Sequence, residues 1–248
     1  MKKIIKILTA VMLSAAVIMT ACTPENDPNN GNDNGGGNNS GGNGTYNGHD
    51  YVDLGLPSGT LWATCNVGAD TPEGCGDYFA WGETKTKAVF DAASYKYVAG
   101  QYHELTKYCV NAFFGYNGFA DNLTTLEPID DAATANWGSG WCMPSWEQWE
   151  ELRTKVASMT WTTQNEMYGW LFTGSNGNTL FLPAAGSRWA EEIGYVGTEG
   201  FYWSNQLYKD YYGFNNSSCY AYLDSKWIMR KESDRYRGFT VRPVRSSN

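Results

Sequence analysis

The last fifty residues constrain this chain most. They open with Gly200-Phe201-Tyr202-Trp203-Ser204 and close with Arg237-Gly238-Phe239-Thr240-Val241-Arg242-Pro243-Val244-Arg245. Both ends read as packed strands. Between them, from 205 to 224, runs a stretch rich in Tyr, Asn, Ser and Asp. Strand side chains alternate faces, so Cys219, Ala221 and Leu223 share one face and Tyr220, Tyr222 and Asp224 the other. By the same rule Phe239 and Val241 lie opposite Thr240 and Arg242. Pro243 has no N–H to donate and belongs near a strand end or edge. The expectation is a sheet with small apolar residues inside and tyrosines outside. Tyrosine offers large contact area at low entropic cost, and Asn and Ser adapt their hydrogen bonds, as in antibody loops. Asn205, Tyr208, Tyr211, Tyr212, Asn215, Asn216, Tyr220 and Tyr222 are therefore candidate ligand-binding residues. Tyrosines on a sheet's outer face also simply favour strand and cover neighbouring elements. The alternation does not separate these two roles.

The front of the chain carries an address. Lys2, Lys3 and Lys6 precede an apolar run over 7–19, too short for a comfortable membrane span. Thr20-Ala21-Cys22 follows and resembles the lipobox of bacterial lipoproteins. That resemblance implies removal of residues 1–21 and acylation of Cys22. Residues 22–44 are almost wholly Asn, Gly, Asp, Ser and Pro, with nothing to seed a core. They read as a disordered, flexible tether. Residues 45–248, about 200 in number, suffice for one sizeable core. An anchor plus a tether suits a folded domain that captures external material at the cell envelope, at the outer membrane or cell surface.

Losing the three leader lysines takes the formal charge from −8 to −11. Such an acidic chain repels phosphate backbones, so nucleic acid is a poor partner. Besides Cys22 there are Cys65, Cys75, Cys109, Cys142 and Cys219. An odd set cannot pair fully within the chain, and no C-x-x-C spacing suggests zinc. Most read as small buried apolar residues.

Within the domain, 51–63 reads as strand, turn at Pro57-Ser58-Gly59, strand. Residues 77–82 read as a short buried strand, and 101–114 as a short helix or a strand. The alanines of 126–137 suit a helical turn or two. Ser145 and Gln148 form a capping box that opens a helix with Trp146, Trp149, Leu152 and Val156 on its core face. Residues 170–173 and 179–183 read as strands around a Gly/Asn loop. Residues 184–188 are too small and glycine-marked for continued sheet. Short strands, long loops and little helix make an α+β domain.

Three segments carry a family likeness: Val52-Asp53-Leu54-Gly55-Leu56-Pro57-Ser58-Gly59-Thr60-Leu61-Trp62-Ala63-Thr64-Cys65-Asn66-Val67-Gly68; Trp141-Cys142-Met143-Pro144-Ser145-Trp146-Glu147-Gln148-Trp149; and Tyr202-Trp203-Ser204 with Ala221-Tyr222 and the run from Gly238 to Val244. By these the chain resembles the bacterial major paralogous domain family, a C-type lectin-like branch related to formylglycine-generating enzymes. The resemblance implies a small twisted antiparallel sheet, flanking helices, and a ligand face made by the long loops and last strands. Some relatives are variable proteins of diversity-generating retroelements, and 205–222 has the residue types such mutagenesis yields. Fold does not fix function, however.

Specific chemistries find little support. Calcium-dependent lectins of this fold use Glu-Pro-Asn or Gln-Pro-Asp with a later Trp-Asn-Asp. Here Glu127-Pro128-Ile129-Asp130 is a near miss without the second motif. Asp121, Glu127, Asp130 and Asp131 offer oxygens, but a solvated acidic loop explains them. Cys219 has no partner for the cysteine chemistry of the formylglycine relatives. The only histidines, His49 and His103, lie by no nucleophile motif. A two-carboxylate glycosidase pair need not be close in sequence, so sequence alone is silent on it. The expectation is a non-catalytic module with no metal or cofactor. It binds an external glycan or protein and is held to a membrane by its lipid. A structural or assembly role in the envelope is the alternative. Arg230, Lys231, Arg235, Arg237, Arg242 and Arg245, interspersed with Glu232 and Asp234, are expected to form exposed salt bridges.

Overall fold

The computed structural model describes residues 42–101, 103–211 and 213–247, without the side chains of Asp210, Phe214 and Asn215. The expected leader, Cys22 and the tether up to residue 41 lie outside the described residues. No helix among the described residues is long and apolar enough to cross a membrane.

The strands are β1 Gly44–Tyr46, β2 His49–Asp53, β3 Thr60–Ala63, β4 Ser158–Gln164, β5 Met167–Thr173, β6 Thr179–Pro183, β7 Ala185–Trp189, β8 Glu192–Val196, β9 Gly200–Asp210, β10 Gly213–Leu223, β11 Ile228–Asp234 and β12 Val244–Ser246. The helices are α1 Ala132–Trp137 and α2 Trp146–Lys155. They form sheets ordered β1-β2-β3-β12, β11-β10-β9-β7-β8 and β4-β5-β6. Strand neighbours run antiparallel, except that β7 meets β9 in parallel at Gly186 and Gly200. The class is α+β and mostly strand.

The β2–β3 pair follows its sequence signal. Gly59 takes a φ of +71°, and its N–H reaches Leu56 O at 2.9 Å, closing the turn. Helix α2 starts where its capping box predicts. Ser145 accepts from Gln148 N while the Gln148 side chain accepts from Ser145 N. Trp149 and Leu152 are buried, while Trp146 lies half-exposed at the entry.

Other expectations fail. Residues 77–82 join no strand, and Phe79 makes only an isolated bridge to Phe239. The described residues of 101–114 hold no strand or α-helix, only bridges and a 3-10 turn at Ala112–Phe114. Residues 184–188, set aside as too small for sheet, supply most of β7, which runs Ala185–Trp189. Gly186 allows this because a Cβ there would lie 2.3 Å from Gly194 O. Its backbone approaches β8 more closely than any side chain permits.

Asp131 caps α1. Its carboxylate accepts from Thr134 N at 2.9 Å and from Met143 N at 2.8 Å, tying α1 to the entry of α2. Burial pushes this carboxyl up to about 6, against the pull of those N–H donors. Between the ordinary value of 3.8 and about 6, the folded state holds a proton that the unfolded state has lost. Stability therefore falls as pH rises through that window, by about 3 kcal/mol at 1.36 kcal/mol per unit. Denaturant titrations from pH 4 to 7 should show this slope, and Asp131→Asn should remove it. An unchanged slope in the variant would assign it elsewhere.

Candidate functional site

The hairpin of β9 and β10 is the middle layer of the molecule. One face carries Tyr202, Ala221 and Leu223 into a core with Trp62, Trp149, Leu152, Phe172 and Leu182. The other carries Trp203, Leu207, Tyr220 and Tyr222 into a core with Phe79, Trp81, Trp141 and Phe239. Both faces are covered. Tyr220 and Tyr222 are only 7% and 9% exposed, which corrects the expectation that they turn to water. Tyr220 packs 4.8 Å from Phe239 and 5.8 Å from Phe201. Burial, with Glu199 nearby, pushes its hydroxyl up to about 12. Tyr222 lies under Lys231, whose Nζ is 3.5 Å from the ring centroid. The small–large alternation thus marks two separate cores rather than an inside and an outside. Thr240 and Arg242, expected opposite the core, are likewise fully buried.

The remaining candidate residues are dispersed. Asn205 is half-buried and pinned by its backbone, donating to Pro144 O at 3.0 Å and accepting from Leu126 N at 2.8 Å. Tyr208 is half-buried, with the Arg230 guanidinium 5.0 Å from its ring and 5.8 Å from that of Trp146. Tyr211, at the hairpin turn, is 95% exposed. Asn216 is half-buried. Tyr212 and the side chain of Asn215 lie outside the described residues.

A second surface went unread in the sequence. The β7–β8 hairpin exposes Trp189, Ile193, Tyr195 and Val196, each by 44–60%. Tyr195 leans on Phe201 at 5.8 Å, so this surface runs into the rings of the middle layer. Arg237 lies 4.3 Å above Trp189. Trp189 pairs with Glu192 and Ile193 with Arg188, so these exposed apolar groups lie on both faces of the hairpin edge. No periodicity in 189–196 distinguishes them from core, and only the edge position of β8 exposes them.

The C-terminal segment relates this surface to the start of the domain. Gly238 pairs with Arg188 of β7, Thr240 with Tyr202 of β9, and Val244 with Trp62 of β3. Up to about 20 Å of extended chain separates the Trp189 surface from the β1-β2-β3-β12 sheet that residue 44 enters.

The basic stretch is built differently from the expected exposed salt bridges. Arg230, Lys231 and Arg237 lie over Tyr208, Tyr222 and Trp189, and Arg245 lies 3.7 Å from the Tyr46 centroid. Arg235 and Arg242 are buried. Aromatic faces and carbonyls hold these cations, and such ring contacts contribute about 0.5–2 kcal/mol each.

The carboxylates considered for calcium are engaged within the chain. Asp121 accepts from Tyr108 N and Cys109 N. Glu127 pairs with Lys107, Asp130 pairs with Lys96 and Lys107, and Asp131 caps α1. His49 stacks on Trp137 at 3.8 Å. Cys65, Cys75, Cys109 and Cys219 are free thiols. Burial pushes the Cys219 thiol up despite Arg230 Nε at 3.2 Å, so it is a poor nucleophile. No protein family, curated protein or solved structure matches the chain.

Proposed function

We propose that this chain is a lipid-anchored binding module of the bacterial cell envelope, with a C-type lectin-like domain and no catalytic activity. Its binding surface is the β7–β8 edge, with Trp189, Ile193, Tyr195 and Val196. The observation that carries this reading is their joint exposure on one hairpin. Their apolar character suits a protein ligand, since aromatic anchors dominate protein interfaces. A sugar-binding reading rests on the fully exposed Tyr211 beside the polar hairpin end with Tyr208 and Asn216.

The test compares cells displaying the full chain, a Trp189→Ala/Tyr195→Ala variant and a Tyr208→Ala/Tyr211→Ala variant on immobilised envelope proteins and on a glycan array. A protein ligand at the edge predicts at least a tenfold loss for the first variant only, from two hot-spot side chains worth about 1.4 kcal/mol or more together. Equal binding by all three chains would end the reading. Cys22→Ser should release the chain from the membrane fraction. Continued retention would refute the anchor.

A further inference from the structure

Residues 110–120 form an aromatic lobe without a single charged residue. Phe113, Tyr116 and Phe119 are 80%, 45% and 37% exposed. Every residue from 116 to 120 is exposed, so the lobe protrudes rather than lining a groove. Its base is clamped. Asp121 accepts from Tyr108 N at 2.7 Å and Cys109 N at 2.9 Å, and its own N–H reaches Cys109 O at 2.9 Å. Half-buried Phe114 packs on the core. Buried Leu105 holds the lobe from below, donating to Phe114 O at 2.8 Å and accepting from Tyr116 N at 2.9 Å. The backbone of the lobe is largely spent on itself. Phe113 N donates to Asn111 Oδ1 at 3.0 Å. The N–H groups of Phe114, Gly115, Gly118 and Phe119 donate to the carbonyls of Asn111, Ala112, Gly115 and Tyr116.

From this construction we infer that the lobe seats the domain on a lipid bilayer, with its three exposed rings at the boundary between headgroups and acyl chains. Two costs oppose placing a loop there: burying charge, and burying backbone groups that have lost their water. The lobe carries no charge, and six of its N–H groups are already bonded. Aromatic rings favour that boundary, because it accepts an apolar body and a polar tip together. A protein partner would instead draw on hydrogen bonds across the contact, and the lobe has few donors left to offer. The inference rests on the reading of the chain as membrane-anchored and is independent of the β7–β8 edge. A single acyl chain by itself binds a bilayer only marginally, and three partly exposed rings bury no more apolar surface than that. The lobe therefore sets the pose of a chain held by its lipid, and Cys22→Ser should still release it. The formal charge of the chain is −8, so anionic headgroups add no attraction.

The full-length chain is reconstituted into phosphatidylcholine vesicles. A fraction of the lipid carries a diazirine near the glycerol end of one acyl chain. Light expels dinitrogen, and the resulting carbene inserts into the side chains that touch it. The floated protein is digested and the labelled residues are mapped. The expected result is label concentrated on 112–120, at least tenfold above that on the exposed Trp189 and Trp227 surfaces. Label on the lobe should be the same at low and high salt, since no charge enters the contact. Phe113→Ser/Phe119→Ser should lower it at least tenfold while flotation and the thermal midpoint stay as in the wild type. Label spread evenly over the exposed surfaces, or gathered away from the lobe, would overturn the proposal. So would label on the lobe that the double variant leaves unchanged. A chain that floats with the vesicles but keeps its lobe unlabelled leaves the anchor standing and removes only this inference. A chain that fails to float at all removes both.

Discussion

Arg242→Ala is expected to destabilise the domain by about 4 kcal/mol or more, a large part of the 5–15 kcal/mol that holds a typical domain together. Arg242 is completely buried. Its Nε donates to Asn66 Oδ1 at 2.8 Å and its Nη1 to Ala63 O at 3.1 Å and to Thr64 O. Among the described residues no carboxylate pairs with it, so carbonyl dipoles alone compensate the charge. Removing the side chain lifts the cost of burying that charge. It also strands three acceptors at about 1–3 kcal/mol each and leaves a cavity. The second pair of effects wins. Arg242→Lys should recover less than half the loss, because a point charge cannot reproduce the guanidinium fork. Denaturant unfolding reads both values. A loss below 1 kcal/mol for Arg242→Ala would show that the strands around Asn66 close without it.

Asp130→Ala should cost about 3–5 kcal/mol, the range for breaking a buried ion pair by removing one partner. Asp130 is 2% exposed. It accepts from Lys96 at 3.0 Å, Lys107 at 2.6 Å and the Tyr108 hydroxyl at 2.7 Å. Burial alone would raise its carboxyl. Donation from Lys107, Tyr108 and Lys96 outweighs burial and holds the group well below the usual carboxylate range. The linkage is opposite in sign to that of its neighbour Asp131. A depressed carboxyl contributes stability above the unfolded value of about 3.9, and that contribution is lost as pH falls further. The gap between wild type and Asp130→Ala should therefore narrow on titration from pH 5 to pH 2. A gap that stays constant would mean that packing, not charge, sets the cost.

Local signals in the sequence reached as far as their physics allows. Ser145 with Gln148 fixed the start of α2, and Pro57-Ser58-Gly59 fixed the turn before β3, because caps and turns depend on neighbouring residues. Tyr220, Tyr222 and Arg242 were misread because their surroundings come from far away in the chain. The layer that seals the tyrosines includes Phe79, Trp81 and Trp141, from a segment with few regular elements and no periodicity to announce a packing face. Alternation reports two faces, and burial of both requires knowing what lies on each. The β8 edge was missed for the converse reason. Ile193 and Val196 have core composition, and only strand order leaves them outside.

The pairing of residues 238–244 with β7, β9 and β3 has a consequence for biogenesis. β3, which lies more than a hundred residues before β7 and β9, is sewn to both by this later segment. Contacts so distant along the chain close slowly. Earlier portions can collapse, but they lack their shared seam until residues 238–244 have emerged. Such a polypeptide keeps β3 apart from β7 and β9 until that stitch is in place.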